Sequence, residues 1–308
     1  MRALLVAALA LVAAVPVSAE EIRRPTLAGH TFVSTDLVPD AFVRGYVRSS
    51  MRFAQGAHID YPPLVVAGDT LLTLDGDLAY ALVDFEYQHE VRDWMAVHVR
   101  VDLRTRLGTQ VSSLVAEGVS VTTGFEFGWL ARIHQTPKTM LSGSLGVINQ
   151  TVTVVDVKRF AEDVANGVPN AALVDNVPTV RTAAGLRYAW AISRPVGLTL
   201  LAEGSYGEPI DRDESDSWES QLGASVDFDA GAAWGIPVGA ALAFRRSSLP
   251  VLSTADNGGV SETVLRLAYN AKPDFLISLD ILGVFGRENS RNKPVWAGGA
   301  AIGMRYYF

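Results

Sequence analysis

The 308-residue sequence contains no cysteine. Disulfides, thiolate metal sites and a lipid anchor on a leading cysteine are therefore excluded. Beyond Ala19 no apolar stretch approaches the ~18 residues that a helical membrane span needs, because charged or polar residues interrupt each one. Basic residues are outnumbered, 26 Lys and Arg against 33 Asp and Glu for a formal net charge of -7, which argues against a nucleic-acid partner. Hydrolase motifs are incomplete. His89-Glu90 begins like a zinc-protease helix, but Asp93 stands where the second histidine is required. No Gly-x-Ser-x-Gly occurs, and His30, His58, His89, His98 and His134 are dispersed. Asp211, Asp213, Glu214 and Asp216 crowd one segment without the glycine and closing glutamate of a calcium loop, and read as a solvated acidic tip. No enzyme activity, cofactor or metal is expected.

What the sequence does have is apolar content without long apolar runs. Hydrophobic residues make up 49% of the chain, and the mean hydropathy is +0.20. The longest run lies at the start: Arg2, an apolar stretch from Ala3 to Val15, then Val17-Ser18-Ala19 before Glu20-Glu21. These are the three regions of a secretory signal peptide over residues 1–19, with cleavage expected after Ala19. The remaining apolar residues must be dispersed. Dispersal at every second position is what a transmembrane barrel requires, since only helices and closed barrels satisfy every backbone hydrogen bond in lipid.

The segment from Ala81 to Leu103 shows the alternation most cleanly. Ala81, Val83, Phe85 and Tyr87 alternate with Leu82, Asp84, Glu86 and Gln88; after a connection at Glu90–Asp93, Met95, Val97, Val99, Val101 and Leu103 alternate with Ala96, His98, Arg100, Asp102 and Arg104. A helix would scatter the polar groups around its circumference, whereas a strand places them on one side. The pattern recurs over Val119–Trp129, Leu141–Val147, Val180–Ile192, Val196–Tyr206, Trp218–Phe228, Ile236–Phe244, Thr263–Tyr269 and Phe275–Ile281. A first strand near Phe42–Phe53 and a closing strand from Val295 bring the expectation to about twelve, an even number as such barrels usually have. Short turns near 90–93, 135–138, 194–195, 230–233 and 271–274 alternate with longer loops near 54–76, 106–117, 153–177, 207–216, 247–259 and 286–294. The short set is expected in the periplasm and the long set outside the cell. Loop 153–177 carries one helical pattern, with Val157, Phe160, Ala161 and Val164 on a face, Asp156 as N-cap and Gly167 as stop.

The chain ends Ile302-Gly303-Met304-Arg305-Tyr306-Tyr307-Phe308, with Ile302, Met304, Tyr306 and Phe308 on one face and Gly303, Arg305 and Tyr307 on the other. This ending resembles the closing strand of bacterial outer-membrane β-barrel proteins of porin-like type. In that class a terminal phenylalanine with an aromatic two residues earlier, here Phe308 and Tyr306, is the assembly signal. The resemblance implies an all-β fold, an antiparallel transmembrane β-barrel in the bacterial outer membrane. The implied partners are outer-membrane lipids and lipopolysaccharide, the barrel assembly machinery during biogenesis, and small solutes. The expected organisation is a signal peptide at 1–19, a periplasmic or lumenal segment at 20–41 and the barrel at 42–308.

The inward set is crowded with both signs of charge. On the first three strands it comprises Arg44, Arg48 and Arg52, then Asp84 and Glu86, then His98, Arg100, Asp102 and Arg104. Further along come Glu126, Arg132, Arg181, Arg187, Glu203 and Glu219, then Asp227, Arg245, Arg266, Asp280 and Arg305. Two readings compete. These groups could line a water-filled passage for small polar or amphipathic solutes, or pair across a narrow lumen and stiffen it in a barrel with a structural or surface-interaction role. About twelve strands is intermediate between filled eight-stranded barrels and open ones of 16–18. An outer-membrane lipid hydrolase is a third alternative, with His98 beside Arg100 and Asp102 as its residual constellation. The row Arg44, Arg48, Arg52 could guide anions or neutralise Asp84 and Glu86.

Overall fold

A computed structural model describes residues 24–308 apart from 57, 58, 67, 68, 77, 109–118, 156–159, 161, 162, 165, 168, 170, 209–216, 249–258 and 289–292. The expected signal peptide, and most of the helical pattern after Asp156, lie outside the described residues. Gly167 is described: its φ is +67° and its N–H donates to the Val164 carbonyl, as a helix stop does.

The chain starts with a small hairpin, β1 (Thr26–Leu27) and β2 (His30–Thr31). The first barrel strand, β3 (Tyr46–Gly56), follows; a second hairpin, β4 (Ile59–Val66) and β5 (Asp69–Gly76), forms its own two-stranded sheet. The wall continues through β6 (Leu78–Arg92), β7 (Met95–Gly108), β8 (Val119–Gln135), β9 (Thr139–Val155), β10 (Val174–Ala191) and β11 (Val196–Gly207). It ends with β12 (Ser217–Asp229), the short helix α1 (Ala230–Trp234), β13 (Val238–Ser247), β14 (Val260–Tyr269), β15 (Phe275–Glu288) and β16 (Lys293–Tyr307). Strand β3 and strands β6 to β16 close into one antiparallel barrel, each wall strand pairing with its sequence neighbour and β16 pairing with β3.

Twelve strands and the short-long rhythm of connections therefore stand. Three details differ from the sequence expectation. The first strand begins at Tyr46 rather than near Phe42, because Phe42 and Val43 are buried inside the barrel. The loop expected over 54–76 holds the β4–β5 hairpin. The turn near 230–233 is helical, capped by Asp229, whose carboxylate accepts from the Gly231 N–H, and stopped by Gly235 at φ +73°.

Alternation sets the two faces of the wall. On β16, Ile302, Met304 and Tyr306 face outward, exposed, while Arg305 and Tyr307 face inward and are buried. The same holds round the barrel: Phe85, Val101, Phe125, Leu186, Leu242, Leu267 and Ile281 are all exposed on the outside. Facing water, each would forfeit about 1.5–3 kcal/mol relative to burial. A continuous belt of such residues has lipid as its solvent.

Candidate functional site: a lumen occupied by its own N-terminal segment

Residues 30–43 lie inside the barrel, and residues 24–29, 44 and 45 lie at its short-turn rim. The Arg24 N–H donates to the Pro273 carbonyl in the β14–β15 turn, and the β1–β2 hairpin turns through Ala28 and Gly29, both at positive φ, beside Arg194 in the β10–β11 turn. The chain then rises to a bend at Asp36–Val38 and returns to Gly45, whose carbonyl accepts from the Phe308 N–H. The segment thus enters and leaves at the short-turn end. It does not thread the barrel.

The wall is built to receive it. Phe32 and Phe42 pack with Leu27 against Met140, Ala189 and Ala191; Leu37 and Val38 pack against Leu201, Ala243 and Val264; Val33 packs against Ala241, Ala268 and Leu276. Alanines at 189, 191, 241, 243 and 268 recur among these inward positions, leaving room for the bulky residues of the segment. At Gly239 a Cβ would lie 2.5 Å from a Val33 methyl, and at Gly197 it would overlap the His30 ring. Without side chains at these two positions the segment can lie flush on the strands.

Charge then fixes it in place. Asp36, almost fully buried, pairs with Arg48, Arg52 at 3.2 Å and Arg266 at 3.2 Å. Arg48 also bridges Asp84 at 2.9 Å and Glu86 at 2.7 Å, and Arg266 holds Asp280 at 2.6 Å. Asp40 pairs with Arg305 at 2.8 Å and accepts from the Ser34 hydroxyl. His30 places Nε2 2.8 Å from an Asp227 carboxylate oxygen and Nδ1 3.1 Å from the Arg194 carbonyl. Burial alone would raise the Asp36 carboxyl, but the guanidiniums of Arg266, Arg48, Arg52 and Arg305 outweigh it and hold Asp36 well below the ordinary carboxylate range.

Elsewhere the lumen carries wall-to-wall pairs instead. His98 meets Glu126 at 3.0 Å, Arg104 meets Asp102 at 2.9 Å, Arg181 meets Glu219 at 3.0 Å and Arg245 meets Glu262. Arg100, Arg187 and Glu203 also face inward, without an ion pair among the described residues. Two expected lining residues lie elsewhere: Arg44 precedes β3 and is exposed at the short-turn rim, 3.8 Å from Glu90, while Arg132 is at the same rim beside Asp93. Arg44 is outside the lumen because the strand that would have turned it inward begins two residues later. Tyr306 faces outward, and Phe308 stacks on Tyr87 with ring centroids 5.7 Å apart, at the seam between first and last strands.

Sequence reasoning missed His30, Asp36, Asp40 and Glu262. A signal for the first three existed: apolar residues Phe32, Val33, Leu37, Val38 and Phe42 beside two aspartates, opposite strands whose inward positions run Gly239, Ala241, Ala243. His98 of the residual constellation places Nε2 3.0 Å from Glu126 on the next strand.

A closed antiparallel barrel with an apolar outer belt and a charged interior defines the outer-membrane β-barrel class. No family model matches the chain, and no curated protein matches it. Solved structures that resemble it include the toluene transporter TodX of Pseudomonas putida, at 9% identity over 86% of this chain and 90% of that one, TM-score 0.44. They also include the KdgM porin, at 8% over 84% and 99%, TM-score 0.42, and the translocator domain of autotransporter NalP from Neisseria meningitidis, at 8% over 86% and 88%, TM-score 0.49. These likenesses are distant, and none lends this chain a substrate.

Proposed function

We propose that the protein is an outer-membrane channel for passive passage of small polar solutes, held closed at its periplasmic end by residues 24–45. The observation that carries this reading is the path of the segment, which enters and leaves the lumen at one end and so can withdraw without unthreading. Above it, half-exposed Arg100, Glu126, Glu203 and Arg245 give the lumen the polar lining that a solute path needs. The buried pairs at Asp36 favour a second reading, a permanently filled barrel with a structural role.

The absence of cysteine supplies the test. A Cβ built at Gly223 lies 3.0 Å from a Val38 methyl, matching the ~3 Å between a Cβ and the far sulfur of a disulfide. Val38→Cys/Gly223→Cys is expected to be electrically silent in planar bilayers when oxidised and to open intermittently after reduction, as the unmodified protein does. Silence of both the reduced double variant and the unmodified protein would favour the filled barrel.

A further inference from the structure

Nearly every charged group on the inner wall is matched to an opposite charge. Among the described residues Arg187, Arg100 and Glu203 are exceptions. Arg187 is buried at 6% exposure with its Nε unpartnered, and Arg100 likewise has an unpartnered buried Nε; neither guanidinium has an ion pair among the described residues. Glu203 is the complementary case, a half-exposed carboxylate without an ion pair or hydrogen bond among the described residues. Register sets Glu203 opposite Gly185, two residues from Arg187 on one inward face, and Glu203 is within electrostatic reach of Arg187, Arg245, His98 and Glu126, so these groups share one section of lumen. Two further polar atoms there lack partners: His98 Nδ1, whose ring is turned by the Nε2 contact to Glu126, and Ser144 Oγ. Ser144 and Glu203 flank Gly185, a position on the same inward face as Arg187 and two residues from it.

The chemistry of the set is two-sided. Guanidinium forks and a hydroxyl donate, which suits a carboxylate. A free carboxylate beside an imidazole nitrogen suits an ammonium. Buried polar groups without partners are uncommon and point to an absent ligand or water. We propose that this section of lumen binds small zwitterionic solutes of the amino-acid type, with the carboxylate on Arg187 and the ammonium on Glu203. This assignment deepens the channel reading and rests on it, because it makes the lumen a solute path.

The test is saturation-transfer NMR on the full chain folded in detergent, with alanine, acetate and methylammonium as probes. Alanine is expected to bind at least several-fold more tightly than acetate or methylammonium. Arg187→Gln should weaken alanine and acetate at least tenfold, whereas Arg132→Gln at the rim should leave both unchanged. Glu203→Gln is expected to abolish the advantage of alanine over acetate without weakening acetate, a gain-and-loss pattern that misfolding cannot imitate. Equal binding of alanine by the unmodified protein and Arg187→Gln would overturn the assignment, as would no binding by folded, heat-modifiable protein. Binding does not require passage through the whole barrel. Bound alanine with silent bilayers would therefore refute the channel and leave the site, while a conducting protein that ignores alanine would refute the site and leave the channel.

Discussion

Replacing Asp36 with asparagine keeps the shape of the side chain and removes the charge on which three arginines converge. Breaking a buried ion pair from one side costs about 3–5 kcal/mol when the partner is left uncompensated. Here compensation is uneven. Arg48 retains Asp84 and Glu86, Arg266 retains Asp280, and Arg52 is left with Asp84 alone, at 3.8 Å. The expected loss is therefore at the lower end, about 3 kcal/mol of docking free energy. At about 1.4 kcal/mol per factor of ten, the ratio of withdrawn to docked segment should rise about 100-fold. Single-channel recording reads this directly: Asp36→Asn should show unitary openings of unchanged conductance and about 100-fold higher open probability. The docked apolar residues, Phe32, Leu37, Val38 and Phe42, stay in place, so the barrel itself should remain heat-modifiable on gels. An Asp36→Asn protein that folds normally and opens no more often than the unmodified one would refute the argument that these charges hold the segment.

The same carboxyl sets a pH dependence. Its lowered value means that docking stability is complete above the ordinary range near pH ~4 and is lost only as pH falls through the lowered value, so open probability should stay flat from pH 7 to about 5 and rise only in stronger acid. Gly239→Leu should lift the segment off β13 and β14, since even a Cβ there meets Val33 at 2.5 Å; increased protease cleavage within residues 24–45 of folded protein would show it. Ile281→Arg places a charge in the lipid-facing belt and should cost about 2–4 kcal/mol of folding free energy into bilayers, measured by denaturant titration. Phe308→Ser removes the ring stacked on Tyr87 at the seam and should lower outer-membrane levels, so normal levels in membrane fractions would count against an assembly role.

The wall was legible because one physical rule governs it. Each strand meets lipid on one side, so period-two alternation persists for about ten residues, and residues such as Val83, Asp84, Phe85 and Glu86 declare their faces without further information. The pairing of Arg48 with Asp84 and Glu86 was within reach because β3 and β6 are neighbours in register. The inner segment obeys no such rule. His30 and Asp40 take their partners from strands 197 and 265 residues away, Asp36 reaches Arg266 near the far end of the chain as well as the nearby Arg48 and Arg52, and no local periodicity encodes a contact between Asp40 and Arg305. The strand start moved for a related reason: Phe42 reads as a lipid-facing residue in sequence, yet an apolar side chain finds equally good burial in an alanine-lined lumen.

The segment inside the barrel also touches both ends of the wall. Through Asp36 it holds Arg48 on the first strand and Arg266 on the third from last, and through Asp40 it holds Arg305 on the last strand. The first and last strands meet at β3–β16, a pairing that must overcome the loop entropy of nearly the whole chain. The segment is thus a clasp across the seam as well as a stopper in the bore. Because it leads directly into β3, it holds the arginines of the last strands close to the first. An open channel is then one that has let go of its clasp, which ties conduction to the mechanical integrity of the seam.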